Sequence, residues 1–186
     1  MSVPTNVDEI AELYRTKGSQ HYGEGVDQLT HALQCAALAH SDGVAETLVA
    51  AAFLHDIGHL VADVQGSRRF DLSRDDDVHE AVGAKVIAPI FGPQVAQPVS
   101  LHVTAKRWRC STDPGYYEKL SPTSQATLVA QGGLLSSEQC RRFESHPGFD
   151  RALTLRGWDD EAKRPEMLTP SLDDVMELLR RVALAP

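Results

Sequence analysis

The chain has little that would tie it to a membrane or to an oxidising compartment. It holds only three cysteines, Cys35, Cys110 and Cys140, set far apart. They make neither a disulfide framework nor a CxxC metal knuckle, and they read as reduced thiols. No apolar stretch reaches the roughly 20 residues needed to span a bilayer. The start, M-S-V-P-T-N-V-D-E-I, lacks the basic beginning and apolar segment of a signal peptide. The expected location is cytoplasmic, with no membrane partner. Positive charge is in the minority, with 18 Lys and Arg against 26 Asp and Glu and a net charge of −8. That excludes general nucleic-acid binding, which needs a basic face. A small anionic substrate in a local basic pocket remains compatible. Alternating β patterns, internal repeats and low-complexity linkers are all nearly absent.

What is present is 186 residues, 42% of them hydrophobic, enough for one compact domain with a core. Helix signals dominate. Helices are expected over residues 7–17, closed by Gly18, over about 27–40, and over about 44–55. Two more are expected over 78–90 and 93–108, broken at Phe91-Gly92-Pro93. Ser121-Pro122 reads as an N-cap followed by proline, opening a helix that runs to about Gln131 and stops at Gly132-Gly133. Ser136 or Ser137 caps a short helix through Phe143, and Thr169-Pro170 opens a last one to about Leu184. The polar stretch 66–77 reads as a surface loop. The fold class is all-α, as a single domain over residues 1–186 with its core at about 20–163.

The chain has eight histidines, and their positions carry the chemistry. The segment F-L-H-D-I-G-H-L places His55, Asp56 and His59 at the end of an alanine-rich apolar run. Buried imidazole and carboxylate groups are costly unless they are paired or bound to metal. His55 and Asp56 point about 100° apart on a regular helix. Both reach one cation only where a helix ends or distorts, and Gly58 supports such a break. A hydrogen-bonded helix terminus is the plainer alternative. Further along, His31, His79 and His102 each sit beside apolar residues on a separate helix, and Asp159 follows Trp158. Helical bundles assemble metal sites in this way. Imidazole and carboxylate ligands suit iron, manganese or zinc. Four histidines and two aspartates exceed one open mononuclear site and fit two ions that share a carboxylate.

The pattern H…HD…D, here His31, His55-Asp56 and Asp159, resembles the HD-domain superfamily, most of whose members are metal-dependent phosphohydrolases. His79 and His102 add the dinuclear form. The chain is most similar to the small mixed-valent diiron oxygenases of the PhnZ type, which cleave the carbon–phosphorus bond of organophosphonates. The segments that carry this are Q-L-T-H-A-L-Q-C-A, L-H-D-I-G-H, H-E-A-V-G-A, H-V-T-A-K-R, L-S-P-T-S, Q-G-G and W-D. The same ligand set also resembles the more distant inositol oxygenase.

The resemblance implies a compact helical bundle with two iron ions, as an Fe(II)/Fe(III) pair, and O2 as co-substrate. His31, His55, Asp56 and Asp159 would hold one iron. Asp56 would bridge to a second iron held by His79 and His102, with positions left open for substrate. Lys106 would bind the phosphonate, with His59, Ser124 and Gln131 as its other contacts. Each has a plainer alternative: a solvated lysine, a helix-end histidine, a helix-cap serine and a glutamine that ends its helix. Tyr22 and Glu24 would form the lid over the oxygen site. Tyr22 stands one position closer to Glu24 than the family pattern, and His21 occupies the expected slot. Either can be the lid.

The expected reaction is oxidation of a 1-hydroxy-2-(trimethylammonio)ethylphosphonate or a 2-amino-1-hydroxyethylphosphonate. It would release phosphate with glycine betaine or glycine. The altered segment at His21 to Glu24 favours the trimethylammonio compound. The rival is a metal-dependent phosphohydrolase acting on a small phosphoester or nucleotide, and a third class is a binding module. Trp108, Tyr116 and Tyr117 either line a pocket or pack a connection. His40 and His146 read as surface or loop histidines.

Overall fold

The computed structural model of the chain describes residues 2–21, 25–64 and 78–185. The expected lid residues Tyr22 and Glu24 lie outside the described residues, as does the expected loop 66–77.

Eleven helices and no strand occur among the described residues: α1 Val7–Lys17, α2 Gln28–Ser41, α3 Glu46–Leu54, α4 Ile57–Val64, α5 His79–Phe91, α6 Pro93–Thr112, α7 Tyr116–Lys119, α8 Pro122–Ala130, α9 Ser137–Glu144, α10 Phe149–Glu161 and α11 Leu172–Val182. The all-α expectation is met. None of these helices is long and apolar enough to cross a membrane.

α3 is the centre. Its sequence, E-T-L-V-A-A-A-F-L, is buried from Leu48 through Leu54, so it is apolar on every side. A helix without a polar face is surrounded by other helices. Here α2, α6, α10 and α11 pack around it. The alanines of α3 let these neighbours come close, while Phe53 and Leu54 fill the space toward the site. α1 lies on the same core through Tyr14, which is almost fully buried and whose ring packs 4.5 Å from that of Phe53.

The starts of these helices follow their capping chemistry. Asn6 accepts from the Glu9 amide at the head of α1, and Asp27 accepts from the Thr30 amide at the head of α2. Ser121 caps α8 ahead of Pro122 as expected, and Ser136 caps α9 with a reciprocal bond from Gln139.

Four expectations need correction. The helix expected over 44–55 ends at Leu54, and a separate helix, α4, begins at Ile57. Gly58 therefore lies inside α4 and does not end a helix. α6 runs on to Thr112, beyond Trp108. The last helix is capped by Ser171, whose side chain exchanges hydrogen bonds with Asp174, and Thr169-Pro170 lies before it. Finally, α7 and α10 carry no expectation from the sequence. α10 starts at Gly148, which has no capping side chain, and its polar and apolar residues are not sorted onto faces.

Candidate metal centre

The break between α3 and α4 creates the site. The last carbonyls of a helix lack partners within it. At the end of α3 two of them are met by side chains: the Tyr14 hydroxyl donates to the Phe53 carbonyl at 3.0 Å, and His55 Nδ1 meets the Ala52 carbonyl at 2.8 Å. A carbonyl only accepts, so Nδ1 carries the proton, and in the neutral imidazole Nε2 keeps the lone pair. The same device recurs twice. His31 Nδ1 donates to the Ala162 carbonyl at 2.6 Å, and His102 Nδ1 donates to the Val99 carbonyl at 2.7 Å. These are the outer bonds that orient metal-binding imidazoles.

The freed Nε2 atoms converge on two points. At the first, His31 Nε2 lies 3.3 Å from His55 Nε2, 3.3 Å from Asp159 Oδ1 and 3.7 Å from Asp56 Oδ2. His55 Nε2 lies 3.4 Å from the same Asp56 oxygen and 3.8 Å from Asp159 Oδ1. At the second, His79 Nε2 and His102 Nε2 are 3.1 Å apart and lie 3.4 and 3.6 Å from Asp56 Oδ1. Ligands about 2.1 Å from one ion and 90–110° apart are separated by roughly 3.0–3.4 Å. The donor set therefore fits two ions, with one Asp56 oxygen turned to each.

The electrostatics suit the same role. Burial opposes the charge on Asp56, but His55 and His79 outweigh it and hold the carboxyl well below its usual range. Burial opposes the charge on Asp159 as well. There Arg156, His31 and Lys163 keep it ionised. Burial and the adjacent His79 and His55 push His102 well below the usual imidazole range, so its imidazole is neutral.

Gly58 explains how the second cluster closes. A Cβ at this position would lie 2.0 Å from the His79 carbonyl oxygen and 2.7 Å from its carbon. α4 and the first turn of α5 therefore touch backbone to backbone, which brings His79 to Asp56. The glycine serves close approach rather than helix termination.

Beside the clusters lies a cavity of about 80 Å³. It is lined by His31, Asp56, His79, His102 and Asp159, and by the expected substrate contacts His59, Lys106, Ser124 and Gln131. Lys106, one turn beyond His102 on α6, is 3% exposed, which sets aside the solvated-lysine alternative. Its Nζ donates to Thr127 Oγ1 at 3.0 Å. Burial, reinforced by Arg156, lowers its pKa to about 7. Ser124 is the third residue of α8, and its backbone amide is capped by Ser121. Gln131 caps the end of α8, and its buried Oε1 has no hydrogen-bond partner. Arg107 holds the following turn by donating to the Gly132 and Gly133 carbonyls. His59 stacks on His79, with ring centroids 4.0 Å apart. It also stands within ligand reach of Asp56 and His79, a position for which the sequence reading had only a phosphonate contact or a helix end.

Several residues escaped the sequence reading. Lys163 lines the cavity and donates to Ser124 Oγ at 3.1 Å. Arg156, 3% exposed, pairs with Asp159. Cys35 Sγ lies 3.8 Å from His31 Nε2, and burial pushes its thiol up, so it stays protonated. Glu80 Oε2 is buried without a hydrogen-bond partner and lies 3.7 Å from His79 Nδ1. The i, i+4 offset of Lys163 from Asp159 and of Cys35 from His31 was the available signal. Tyr116 packs behind the site, where its hydroxyl donates to Asp160, and Trp108 stacks edge-on against Phe149. His40 is exposed, as expected, and His146 is half-buried and accepts from the Gly148 amide. The three cysteines are free thiols.

A helical bundle that gathers histidines and an H-D pair at a helix break defines a class, and the comparison with known families agrees. The pattern of the HD domain matches residues 29–131, more than half of the chain, and the chain belongs to that family. Within it, the chain is 40% identical over 168 residues to hydroxymethylphosphonate dioxygenase of Gimesia maris, covering 90% of this chain and 83% of the relative. It is 33% identical over 177 residues to the glycine-betaine-forming [1-hydroxy-2-(trimethylamino)ethyl]phosphonate dioxygenase of Leisingera caerulea, covering 95% and 89%. A third relative, the uncharacterized protein L432 of Acanthamoeba polyphaga mimivirus, is 36% identical over 160 residues, covering 85% of this chain and 73% of its own length. The expected likeness to phosphonate-cleaving HD-domain oxygenases is met.

Proposed function

We propose that this chain is a diiron dioxygenase that cleaves the carbon–phosphorus bond of a small 1-hydroxyphosphonate. The observation that carries the reading is the shared carboxylate. Asp56 turns one oxygen to His31, His55 and Asp159 and the other to His79 and His102, with His59 beside them, and the cationic cavity borders both clusters. His31, His55, Asp56 and Asp159 would hold the first ion, and Asp56, His79 and His102 the second. The two named relatives act on different substrates that share one element, a hydroxyl and a phosphonate on the same carbon. That element is the substrate class proposed here, and it includes the trimethylammonio and amino compounds as well as the parent hydroxymethyl compound.

The reaction balances without an external reductant. A 1-hydroxyphosphonate with hydrogen on that carbon, plus O2, has the atoms of a carboxylic acid plus phosphate. The carbon supplies all four electrons that O2 accepts: its C–H and C–P bonds break, the carbon gains two bonds to oxygen, the phosphorus gains one, and the hydrogen ends on oxygen. An iron pair would supply the O2 binding and the one-electron steps this needs, whereas zinc has no redox chemistry. The chain itself supplies binding and orientation. Lys106, and Lys163 with Ser124, form a cationic wall for the phosphonate oxygens. The Gln131 side chain gives a further polar contact. Since Lys106 is one helical turn from His102, a phosphonate held by the lysine has its carbon end directed at the open cluster.

The test is protein loaded with iron under nitrogen, then exposed to O2 with hydroxymethylphosphonate, 1-hydroxy-2-(trimethylammonio)ethylphosphonate or a phosphomonoester. The expected result is one phosphate released per O2 consumed with a 1-hydroxyphosphonate. Phosphate released from the phosphomonoester without O2 uptake would return the chain to the hydrolases of its family.

A further inference from the structure

We infer that Arg156 is a positioning residue that fixes the mode in which Asp159 serves the first ion. This rests on the reading of the two clusters as a metal pair.

Asp159 is the only expected ligand on α10, and its two oxygens are divided between two tasks. Oδ1 faces His31 and His55 at 3.3 and 3.8 Å. Oδ2 is taken by Arg156 Nη1 at 2.7 Å. With Oδ2 so engaged, the carboxylate has one oxygen left for the ion and is held monodentate. Without Arg156 it is free to rotate or to chelate with both oxygens, which changes the coordination of the first ion and its distance from Asp56.

The guanidinium is itself fixed from behind. Arg156 Nη2 pairs with Asp160 Oδ1, and Arg156 Nε donates to the Tyr116 hydroxyl at 3.1 Å. Tyr116 donates in turn to Asp160 Oδ2 at 2.5 Å. Arg109 closes the far side, 3.5 Å from Asp160 and over the Tyr116 ring. All three guanidinium nitrogens thus have separate, directed partners. A planar fork of donors meets that arrangement and a lysine ammonium does not. The guanidinium also places a fixed positive charge beside the first cluster, which disfavours its more oxidised state.

The test uses iron-loaded wild type, Arg156→Met, Arg156→Lys and Asp160→Asn. Iron per chain is measured after dialysis, and the electron paramagnetic resonance of the partly oxidised pair is recorded. Orienting groups of this kind are worth roughly 10–100-fold in metal affinity. Arg156→Met is expected to lose iron from the first cluster by that factor, with loss of the resonance that needs both ions. Arg156→Lys and Asp160→Asn are expected to keep both ions and to shift the resonance. Folded Arg156→Met with the iron content and resonance of wild type overturns the inference. If Arg156→Met does not fold, an Arg156→Lys that matches wild type in both readings overturns it. Intact iron and an unshifted resonance with KM alone raised would place Arg156 on the substrate instead, which also overturns it. A wild type that binds no ion pair removes the metal-centre reading itself, and this inference with it.

Discussion

Gly58→Ala isolates the contact that joins the two halves of the centre. The added Cβ would lie 2.0 Å from the His79 carbonyl oxygen, where ordinary contact begins at 3.4 Å. The backbones of α4 and α5 must part by about 1.4 Å, because the atom in the way is main chain and cannot swing aside. Metal–ligand distances tolerate only about 0.2 Å. His79 moves with its backbone, so the second cluster opens far beyond that tolerance. Overpacking of this kind costs roughly 1–3 kcal/mol, offset by up to about 1 kcal/mol from replacing a glycine inside a helix. At roughly 2–4 °C per kcal/mol for a chain of this size, the midpoint falls by up to about 12 °C. The assay is thermal unfolding of the metal-free protein, followed by a metal count on the iron-loaded variant. The first cluster should keep its ion and the second should lose it. Two ions bound with wild-type affinity, at an unchanged midpoint, would mean that His79 does not depend on this contact.

Other substitutions separate ligation, binding and packing. Asp56→Ala should lose both ions, since each cluster needs one of its oxygens, and two ions retained on dialysis would refute the bridge. Lys106→Ala should keep both ions and raise KM for a 1-hydroxyphosphonate by roughly tenfold or more, as for a lost charge-assisted hydrogen bond; an unchanged KM counts against its role. In the empty site Lys106 titrates at about 7, so at pH 8 it is mainly neutral, and a bound dianion raises its pKa. Phosphonate binding at pH 8 should therefore take up a proton, and apparent affinity should weaken as pH rises above 7. Calorimetry in two buffers of different ionisation heat measures this, and the uptake should vanish in Lys106→Met. Tyr14→Phe removes the donor to the Phe53 carbonyl and leaves that buried acceptor unmet, at a cost of roughly 1–3 kcal/mol. Its iron content should match wild type, because the Tyr14 hydroxyl donates to a main-chain carbonyl and not to a candidate ligand.

Much of the site was legible in the sequence because metal ligands contradict their surroundings. His55 and Asp56 follow a wholly apolar helix, and His31, His79 and His102 each stand among apolar neighbours. A reader of hydrophobic pattern alone stops at these positions. Asp159 was different. Nothing marks W-D-D-E as part of a core, and α10 has neither a capping side chain nor an apolar stripe, so the aspartate was a candidate only by its place after Trp158 and by the resemblance. Arg156 and Lys163 share that helix and its end, and charged residues there read as solvated. Their ion-pair partners, Asp159 and Asp160, are local, but the hydroxyls that complete their surroundings, Tyr116 of α7 and Ser124 of α8, are distant in sequence. Gly58 was noticed but given the wrong task. A glycine after an H-D pair suits a helix end and suits a close crossing equally well, and only the position of α5 separates the two.

The two clusters are unequal, and that inequality orders the proposed chemistry. The first draws His31, His55 and Asp159 from three different elements, each tied from behind: His31 to Ala162, His55 to Ala52 and Asp159 to Arg156. The second has two imidazoles and one oxygen of Asp56. His102 is tied to the Val99 carbonyl, and His79 stands at a helix start beside Glu80, whose Oε2 lies 3.7 Å from its Nδ1. A site with so few donors would leave room for a bidentate oxygen ligand, and Lys106 and Lys163 line the cavity that borders it. A single-ion hydrolase needs neither the second pair of histidines nor the division of Asp56 between two points. A two-ion oxygenase needs both: one ion held without vacancy, and a neighbour with places for substrate.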